Sequence, residues 1–488
     1  MSGTSSNVQP SPAIRKIIPI VPKPAAGDAE SLYEAQAKIY PRAVTGRFAL
    51  VRWSFVWLTQ LVFYGLPWLT WSTEAGQRQA VLFDLASRRF YLFGDVLYPQ
   101  DFIYLTGLLV ISALSLFLFT AVAGRLWCGF SCPQTVYTEM FLWIERRVEG
   151  DRNARIKLDA SPMSWRKLGR KAAKHFLWLA LAIWTGFTFV GYFTPIRGLW
   201  GEAFTLSFGP WEWFWVNFYG LATYGNAGFL REQVCKYMCP YARFQSAMFD
   251  KDTLIVSYDA ARGEPRGPRS RKADPGTLAL GSCVSCNLCV QVCPTGIDIR
   301  NGLQYECIGC AGCVDVCNSV MDRMNYPRGL IRFTTQHAMA KRWSRSQIVR
   351  HVLRPRVLVY GTILLSLCFA FAWSLAVRTP LKVDVVRDRA GLARVVAGGR
   401  LENVYRLQIM NATEQQQRYR IEVEGLPGLT LASEAEVVVG AAESRWVAVR
   451  LQIPYGSAAP GSHQIHFEVK SLADHAEVKE KAAFLVPR

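Results

Sequence analysis

Charged side chains are scarce in this sequence: Asp, Glu, Lys and Arg make up 19% of its 488 residues, against 51% apolar and 13% aromatic. A disordered chain of low hydrophobicity needs the opposite balance and is excluded. Acidic residues are the scarcer sign, 37 against 56 basic, which leaves a net charge of +19. Cysteine is absent beyond Cys368, although the chain holds 13. A secreted disulfide scaffold is short and spreads its cysteines evenly, so that class is excluded too. There is no G-x-G-x-x-G run, so direct NAD or flavin binding is not expected. No apolar core precedes Phe48, which speaks against a cleavable signal peptide, and residues 1–45 read as a disordered cytoplasmic tail. What remains is a membrane protein with a metal or redox centre.

Five stretches are apolar enough, and about long enough, to cross a hydrocarbon core: Phe48–Trp71, Phe102–Ala123, Phe176–Thr194, Trp211–Leu230 and Val357–Val377. The second and fifth carry no charge in their cores, the first holds Arg52 near one end, and Glu212, Asn217 and Asn226 interrupt the fourth. Gly124–Lys174 holds eleven Lys+Arg, whereas Ser72–Gln100 holds three and Pro195–Pro210 one. An excess of basic residues marks the cytoplasmic side. Alternation therefore puts the N-terminus, the 124–174 loop and the basic 231–356 region in the cytoplasm of a bacterial inner membrane, and the tail from Arg378 in the periplasm. That sorting accounts for the positive charge, so no nucleic acid is expected. The domains read as a membrane domain over 46–250, a cytoplasmic module over 251–355, a last span over 356–378 and a periplasmic domain over 379–488.

The cytoplasmic module contains CVSCNLCVQVCP and then CIGCAGCVDVCN, two runs of C-x2-C-x2-C-x3-C. This is the bacterial ferredoxin spacing. Three cysteines in a tight turn wrap one cubane, and the fourth starts a helix and reaches the other. On that crossed pattern Cys283, Cys286, Cys289 and Cys317 hold cluster 1, and Cys307, Cys310, Cys313 and Cys293 hold cluster 2. Zinc knuckles would need separated pairs, and disulfides are rare in the cytoplasm. Asn318 stands where the second run would carry a proline like Pro294, an absence that points to a more solvated or partner-facing cluster.

Two further pairs repeat the pattern C-x3-C-P: Cys128, Cys132 and Pro133 after the second span, Cys235, Cys239 and Pro240 after the fourth. Two geometries are open. A continuous helix would stack each pair on one face, about 5–6 Å apart at Cβ. A helix starting at the proline would instead put the second cysteine at its N-terminus, where the dipole favours thiolate. Either way, two soft sulfur pairs suit a thiophilic ion such as Cu(I). The bland alternative is helix packing by four small residues, and packing is the reading for Cys368.

From Leu381 onward, short alternating runs such as VYRLQIMN and HQIHFEVKS read as six or seven half-buried strands, suited to an immunoglobulin-like sandwich. His463 and His466, three apart on a strand, point to opposite faces and are not expected to share a metal. The fold class is thus a multi-domain integral membrane protein: an α-helical bundle of about five transmembrane helices, an inserted bacterial-type double 4Fe-4S ferredoxin module and a C-terminal all-β sandwich.

IYPRAVTG before the first span, GRLWCGFSCPQTVYTEMFLWIERRVEGDR after the second, YMCPYARFQSAMFD after the fourth and the double ferredoxin run closely resemble the cytochrome c oxidase accessory proteins of the CcoG family, also called FixG or RdxA. NapH-like and NosR-like polyferredoxins share the C-x3-C-P pairs. The resemblance implies a role in assembling the cbb-type haem-copper oxidase, by reducing Cu(II) to Cu(I), with copper as substrate and two 4Fe-4S clusters as cofactors. It also implies that the eight cluster ligands fall on the eight cysteines named above. Placement and sulfur chemistry make Cys128, Cys132, Cys235 and Cys239 the expected meeting point of copper and electrons. The expected partners are a copper transporter or chaperone and oxidase assembly factors, and the electron donor is not visible in the residues. Two other functions stay open: an electron-transfer subunit between the quinol pool and a respiratory partner, and a scaffold whose clusters only fold the module.

Overall fold

The computed structural model describes residues 38–73, 76–271, 278–388, 393–474 and 476–487. The tail expected for residues 1–37 lies outside them. The helices run α1 (Arg47–Gly65), α2 (Phe102–Ala123), α3 (Leu126–Phe130), α4 (Pro133–Glu149), α5 (Arg152–Ala160), α6 (Trp165–Val190), α7 (Ile196–Thr205) and α8 (Pro210–Gly225), followed by shorter ones and a last long helix, Pro355–Ala376. Among the described residues four stretches are long and apolar enough to cross a membrane: Arg47–Trp68, Pro99–Ala123, Trp165–Val190 and Pro355–Ala376. Their outward side chains are apolar, Leu365 and Phe369 each being 71% exposed. Helices with such faces are stable against hydrocarbon rather than water.

The fourth expected span is not one unbroken α-helix. α8 covers sixteen residues and then gives way to a π-helical turn, Asn226–Leu230. Together they cover Pro210–Leu230, which is not among the four apolar stretches of spanning length found in the described residues. α8 is instead held against α6 by small residues. A Cβ on Gly186 would lie 2.2 Å from the Val216 carbonyl oxygen, and one on Gly220 2.8 Å from Ile183 Cδ1. Glycines of this kind let two helix backbones approach closely.

The two ends of the helices carry different modules. At one end, strands Ile255–Tyr258 and Ile331–Thr334 pair antiparallel and frame the ferredoxin module, whose core holds Val256, Ile299, Val314, Met321 and Leu330. Residues 40–43, expected within the tail, are fastened there. Tyr40 donates to Asp159 at 2.7 Å, Arg42 N–H to the Gln291 carbonyl at 2.8 Å and Ala43 N–H to Asp151 at 3.0 Å.

At the other end, the stretch read as a plain loop over 72–100 builds a hairpin, Thr70–Thr73 with Gly76–Gln79, and a three-stranded sheet of Val81–Asp84, Arg89–Leu92 and Asp95–Leu97. Val96 and Tyr98 of this cap pack on Met410 and Ala412 of the C-terminal domain. That domain is a sandwich. One sheet orders Thr430–Leu431, Ser444–Pro454, Arg400–Asn411 and Leu381–Arg387, with Arg394–Val396 paired at its side. The other orders Glu436–Val439, Gln417–Glu424, Gly461–Ser471 and Glu477–Val486. Alternate residues such as Tyr405, Leu407, Ile409, Ile465, Phe467 and Val469 fill the space between the sheets. Each such side chain, fully buried, contributes roughly 1.5–3 kcal/mol, which lets a domain without cysteine stand on its core alone.

Candidate redox and metal centre

The two ferredoxin runs fold into matching loops. Ser285 (φ 51°) and Asn287 (φ 54°) flank Cys286 as Gly309 (φ 70°) and Ala311 (φ 57°) flank Cys310. Left-handed backbone on both sides of the middle cysteine curls each loop around a hollow. Such conformations cost energy outside glycine and persist where the surroundings over-determine them, often at functional sites.

Two cavities result. One, of about 370 Å³, is lined by Cys283, Cys286, Cys289 and Cys317. The other, of about 350 Å³, is lined by Cys293, Cys307, Cys310 and Cys313, with Cys289 in the wall between. The helix Gly312–Met324 carries Cys317 from the second run into the first cavity, so the crossed pattern is present in the geometry. Neither cavity has a carboxylate in its lining. Among the described residues no three His, Cys, Asp or Glu groups converge closely enough for a single ion. Four thiols set around a hollow, with no convergence on one point, fit a 4Fe-4S cage and not a lone zinc. Burial pushes Cys307 and Cys317 up to about 12 and Cys289 up to about 11, so iron would have to supply the charge that holds them as thiolates. Of the eight, only Cys286 is exposed, so a cluster in the first hollow would be the more solvent-facing one. The Asn318 side chain accepts the Gly329 N–H at 2.9 Å, so the residue in the proline position has a structural use.

The C-x3-C-P pairs take the second of the geometries left open. Pro133 and Pro240 occupy the first turns of α4 and of the helix Pro240–Met248, with Cys132 and Cys239 as their N-caps. Cys128 lies on the short α3, and Cys235 on a π-helical turn, Val234–Met238. Gln134 Nε2 donates to the carbonyls of Asn226 (2.9 Å) and Arg231 (3.1 Å), tying the first pair to the segment that leads into the second. The thiols sense one another: Cys132 and Cys235 both act on Cys128, and Cys239 acts on Cys132. At Cys132 the expected fall in pKa is not found. Burial raises Cys132 and outweighs the N–H groups of Gln134 and Thr135 that favour its thiolate. Burial likewise pushes Cys128 up to about 12 and Cys235 up to about 11.

Three residues not singled out from the sequence join this quartet to its surroundings, two of them to the loop of the second ferredoxin run. Arg125 donates to the carbonyls of Tyr305, Cys307 and Ala242, bridging the cluster-2 loop and the Pro240–Met248 helix. Gly129, between Cys128 and Cys132, lies flat on that loop: a Cβ there would be 2.8 Å from Gly309 C and O and from Cys310 N. Gln245, fully buried, accepts from Cys128 Sγ at 3.3 Å. Arg125 and Gly129 sit inside GRLWCGFSCP, but spacing says nothing of what they face. His463 and His466 make separate bonds, to the Ala459 carbonyl (2.7 Å) and to Gln464 (3.2 Å).

Known proteins place this arrangement. A 4Fe-4S dicluster domain matches residues 230–336, a 4Fe-4S binding domain matches 105–149, and the IG-like fold at the C-terminus of FixG matches 371–487. The nitrogen fixation protein FixG of Rhizobium meliloti is 40% identical over 427 residues, covering 82% of each chain. The chain belongs to the FixG/RdxA family. Protein RdxA of Cereibacter sphaeroides is 37% identical over 436 residues, covering 88% of this chain and 92% of RdxA. The ferredoxin-type protein NapH of Haemophilus influenzae is 25% identical over 207 residues, 38% of this chain and 66% of NapH. Membership gives iron–sulfur clusters and electron transfer to a protein with four apolar helices of spanning length.

Proposed function

We propose that this protein is a membrane-bound cupric reductase that supplies Cu(I) for assembly of the cbb-type cytochrome c oxidase. The observation that supports the reading is the junction of Gly129 and Arg125 with the segment Cys307–Cys310, which brings the loop of the first C-x3-C-P pair against the second ferredoxin run. When bound, the two cubanes supply one-electron chemistry, which matches the Cu(II)/Cu(I) couple. Cys286 is exposed, so a cluster that it helps to hold would be open to an external donor. Cys128, Cys132, Cys235 and Cys239 receive Cu(II) and, as soft sulfur donors, stabilise the Cu(I) formed by one electron. Each bound thiol gives up its proton, and Arg125 offsets the negative charge that gathers there. Positive-inside sorting assigns the ferredoxin end to the cytoplasm and the sandwich to the periplasm. Cu(I) then passes to a copper transporter or chaperone.

The test uses anaerobically purified protein with reduced clusters. Adding Cu(II) is expected to reoxidise them and yield Cu(I) trapped by a selective chelator. Serine at all four C-x3-C-P cysteines is expected to abolish that yield with the cluster content unchanged, and an unchanged rate would sink the assignment. A second reading, an electron-transfer subunit, is favoured by the likeness to NapH and by the 4Fe-4S binding domain over 105–149, whose only cysteines are Cys128 and Cys132. The quartet would then carry iron. Iron in excess of two cubanes, lost on the same serine substitutions, decides for it.

A further inference from the structure

A third cavity, of about 500 Å³, lies on the far side of the cluster-2 loop and differs from the cysteine hollows in being polar. Arg42 from the segment before α1, Arg52 of α1, Arg146 of α4 and Arg155 of α5 line it, together with one carboxylate, Glu139, and with Cys310. Two of the four cations are already matched. Arg52 pairs with Glu139 at 3.1 Å, and Arg155 with the buried Glu145 at 2.6 Å. Arg146 has no ion pair among the described residues, and its one bond is from Nε to the Leu142 carbonyl at 3.4 Å. Arg42 has no side-chain partner among them either. Burial first, then Arg155 and Arg52, hold the Arg146 guanidinium below its ordinary range, against the pull of Glu139 and Asp151. Arg155 Nε belongs to a side chain only 2% exposed and finds no acceptor.

A half-enclosed cavity with surplus guanidinium groups and an unused buried donor is built for an anion. Planar guanidinium forks match the oxygens of a phosphate group, and such charge-assisted pairs are about twice as strong as neutral ones. We propose that this cavity is a binding site for a phosphate-type oxyanion, held by Arg42, Arg52, Arg146 and Arg155 directly behind Cys310. Two sources share that chemistry: a free phosphate or phosphomonoester, and the headgroup of an anionic lipid, since α1 enters its apolar stretch beside the cavity. The site stands apart from the copper reading and survives if that fails. Bound there, the anion adds negative charge behind a cluster-2 cysteine and lowers the potential of that cluster.

The experiment uses the full-length protein with its clusters. Thermal unfolding is followed with rising inorganic phosphate against chloride at matched ionic strength, and in nanodiscs of phosphatidylglycerol against phosphatidylcholine. A ligand that binds the folded state alone raises the midpoint in a saturable way. Arg146→Gln is expected to weaken the apparent affinity about tenfold, the loss of one charged hydrogen bond. Arg42→Gln, at an exposed position whose backbone bond to Gln291 the substitution leaves in place, is expected to weaken it in the same direction. Arg328→Gln, 71% exposed at its side chain on the ferredoxin module, serves as the charge-matched control and leaves binding unchanged. A midpoint shift with inorganic phosphate identifies the free source, and one confined to phosphatidylglycerol identifies the lipid. In either case a redox titration followed by EPR is expected to show cluster 2 moving to lower potential and cluster 1 staying put. No shift with either ligand, or the same shift in both cavity variants as in the parent, overturns the proposal.

Discussion

Replacing Gly129 by alanine tests the contact on which the proposed electron delivery rests. Two effects oppose each other. Inside a helix, alanine is better than glycine by about 0.5–1 kcal/mol. Against that, the new Cβ would meet three backbone atoms of Gly309 and Cys310 at 2.8 Å, where ordinary contact begins at 3.4 Å. Backbone cannot swing aside as a side chain does, so the cluster-2 loop has to retreat by about 0.6 Å from a close-packed junction. Overpacking of this kind costs about 1–3 kcal/mol, more than the helix gains. Gly129→Ala is therefore expected to destabilise, by about 1–2 kcal/mol net. Gly169 is the internal control, because it lies in α6 with nothing within 4 Å of its would-be Cβ. Gly169→Ala is expected to stabilise by the helix term alone. Thermal unfolding at matched iron content reads both signs, and the rate of Cu(II) reduction reads whether the retreat slows electron delivery. If Gly129→Ala melts at or above the parent and keeps its rate, the reasoning about the junction is wrong.

Arg125→Gln removes a guanidinium bound to three carbonyls, each charged hydrogen bond being worth about 1.5–3 kcal/mol at most; cluster 2 should shift to lower potential, and an EPR titration showing no movement would remove Arg125 from the electron path. Because burial holds the Cys128 and Cys235 thiols neutral, at about 12 and about 11, Cu(I) capture must release their protons. Affinity in a competition titration should thus rise about tenfold per pH unit for each thiol displaced between about pH 6 and 9, whereas a flat profile would mean that copper binds elsewhere. Asp101, 4% exposed, pairs with Arg378 at 3.0 Å and Lys382 at 3.3 Å where α2 meets the sandwich. Asp101→Asn strands a buried cation at a cost of about 3–5 kcal/mol, and faster hydrogen exchange in Leu381–Arg387 should report it; unchanged protection would count against that joint.

How much of this was legible in the sequence depended on whether the signal was local. Spacing alone picked out the eight cysteines that line the two hollows, because C-x2-C-x2-C-x3-C constrains a tight loop and the helix after it. The prolines of C-x3-C-P were readable for a similar reason, since proline has one good place in a helix. The Cys132 thiol does not follow the helix dipole and the nearby N–H groups, because burial, which depends on the other modules, outweighs both. Arg125, Gly129 and Gln245 were invisible as site residues, for what they touch lies more than a hundred positions away. The small sheets over 70–97 were overlooked because three- and four-residue strands give too short an alternation. Trp211–Leu230 reads as one apolar stretch, whereas the structure divides it into α8 and a π-helical turn, a change of helix type that composition does not signal.

Because Cys293 and Cys317 are exchanged between the two hollows, each half of the module holds a piece of its neighbour's cage. Stripping one cage frees the end of the chain segment that anchors the other, so the pair should be acquired and lost together. Half-loaded molecules ought to be rare, and damage at the exposed Cys286 would silence the whole relay rather than shorten it.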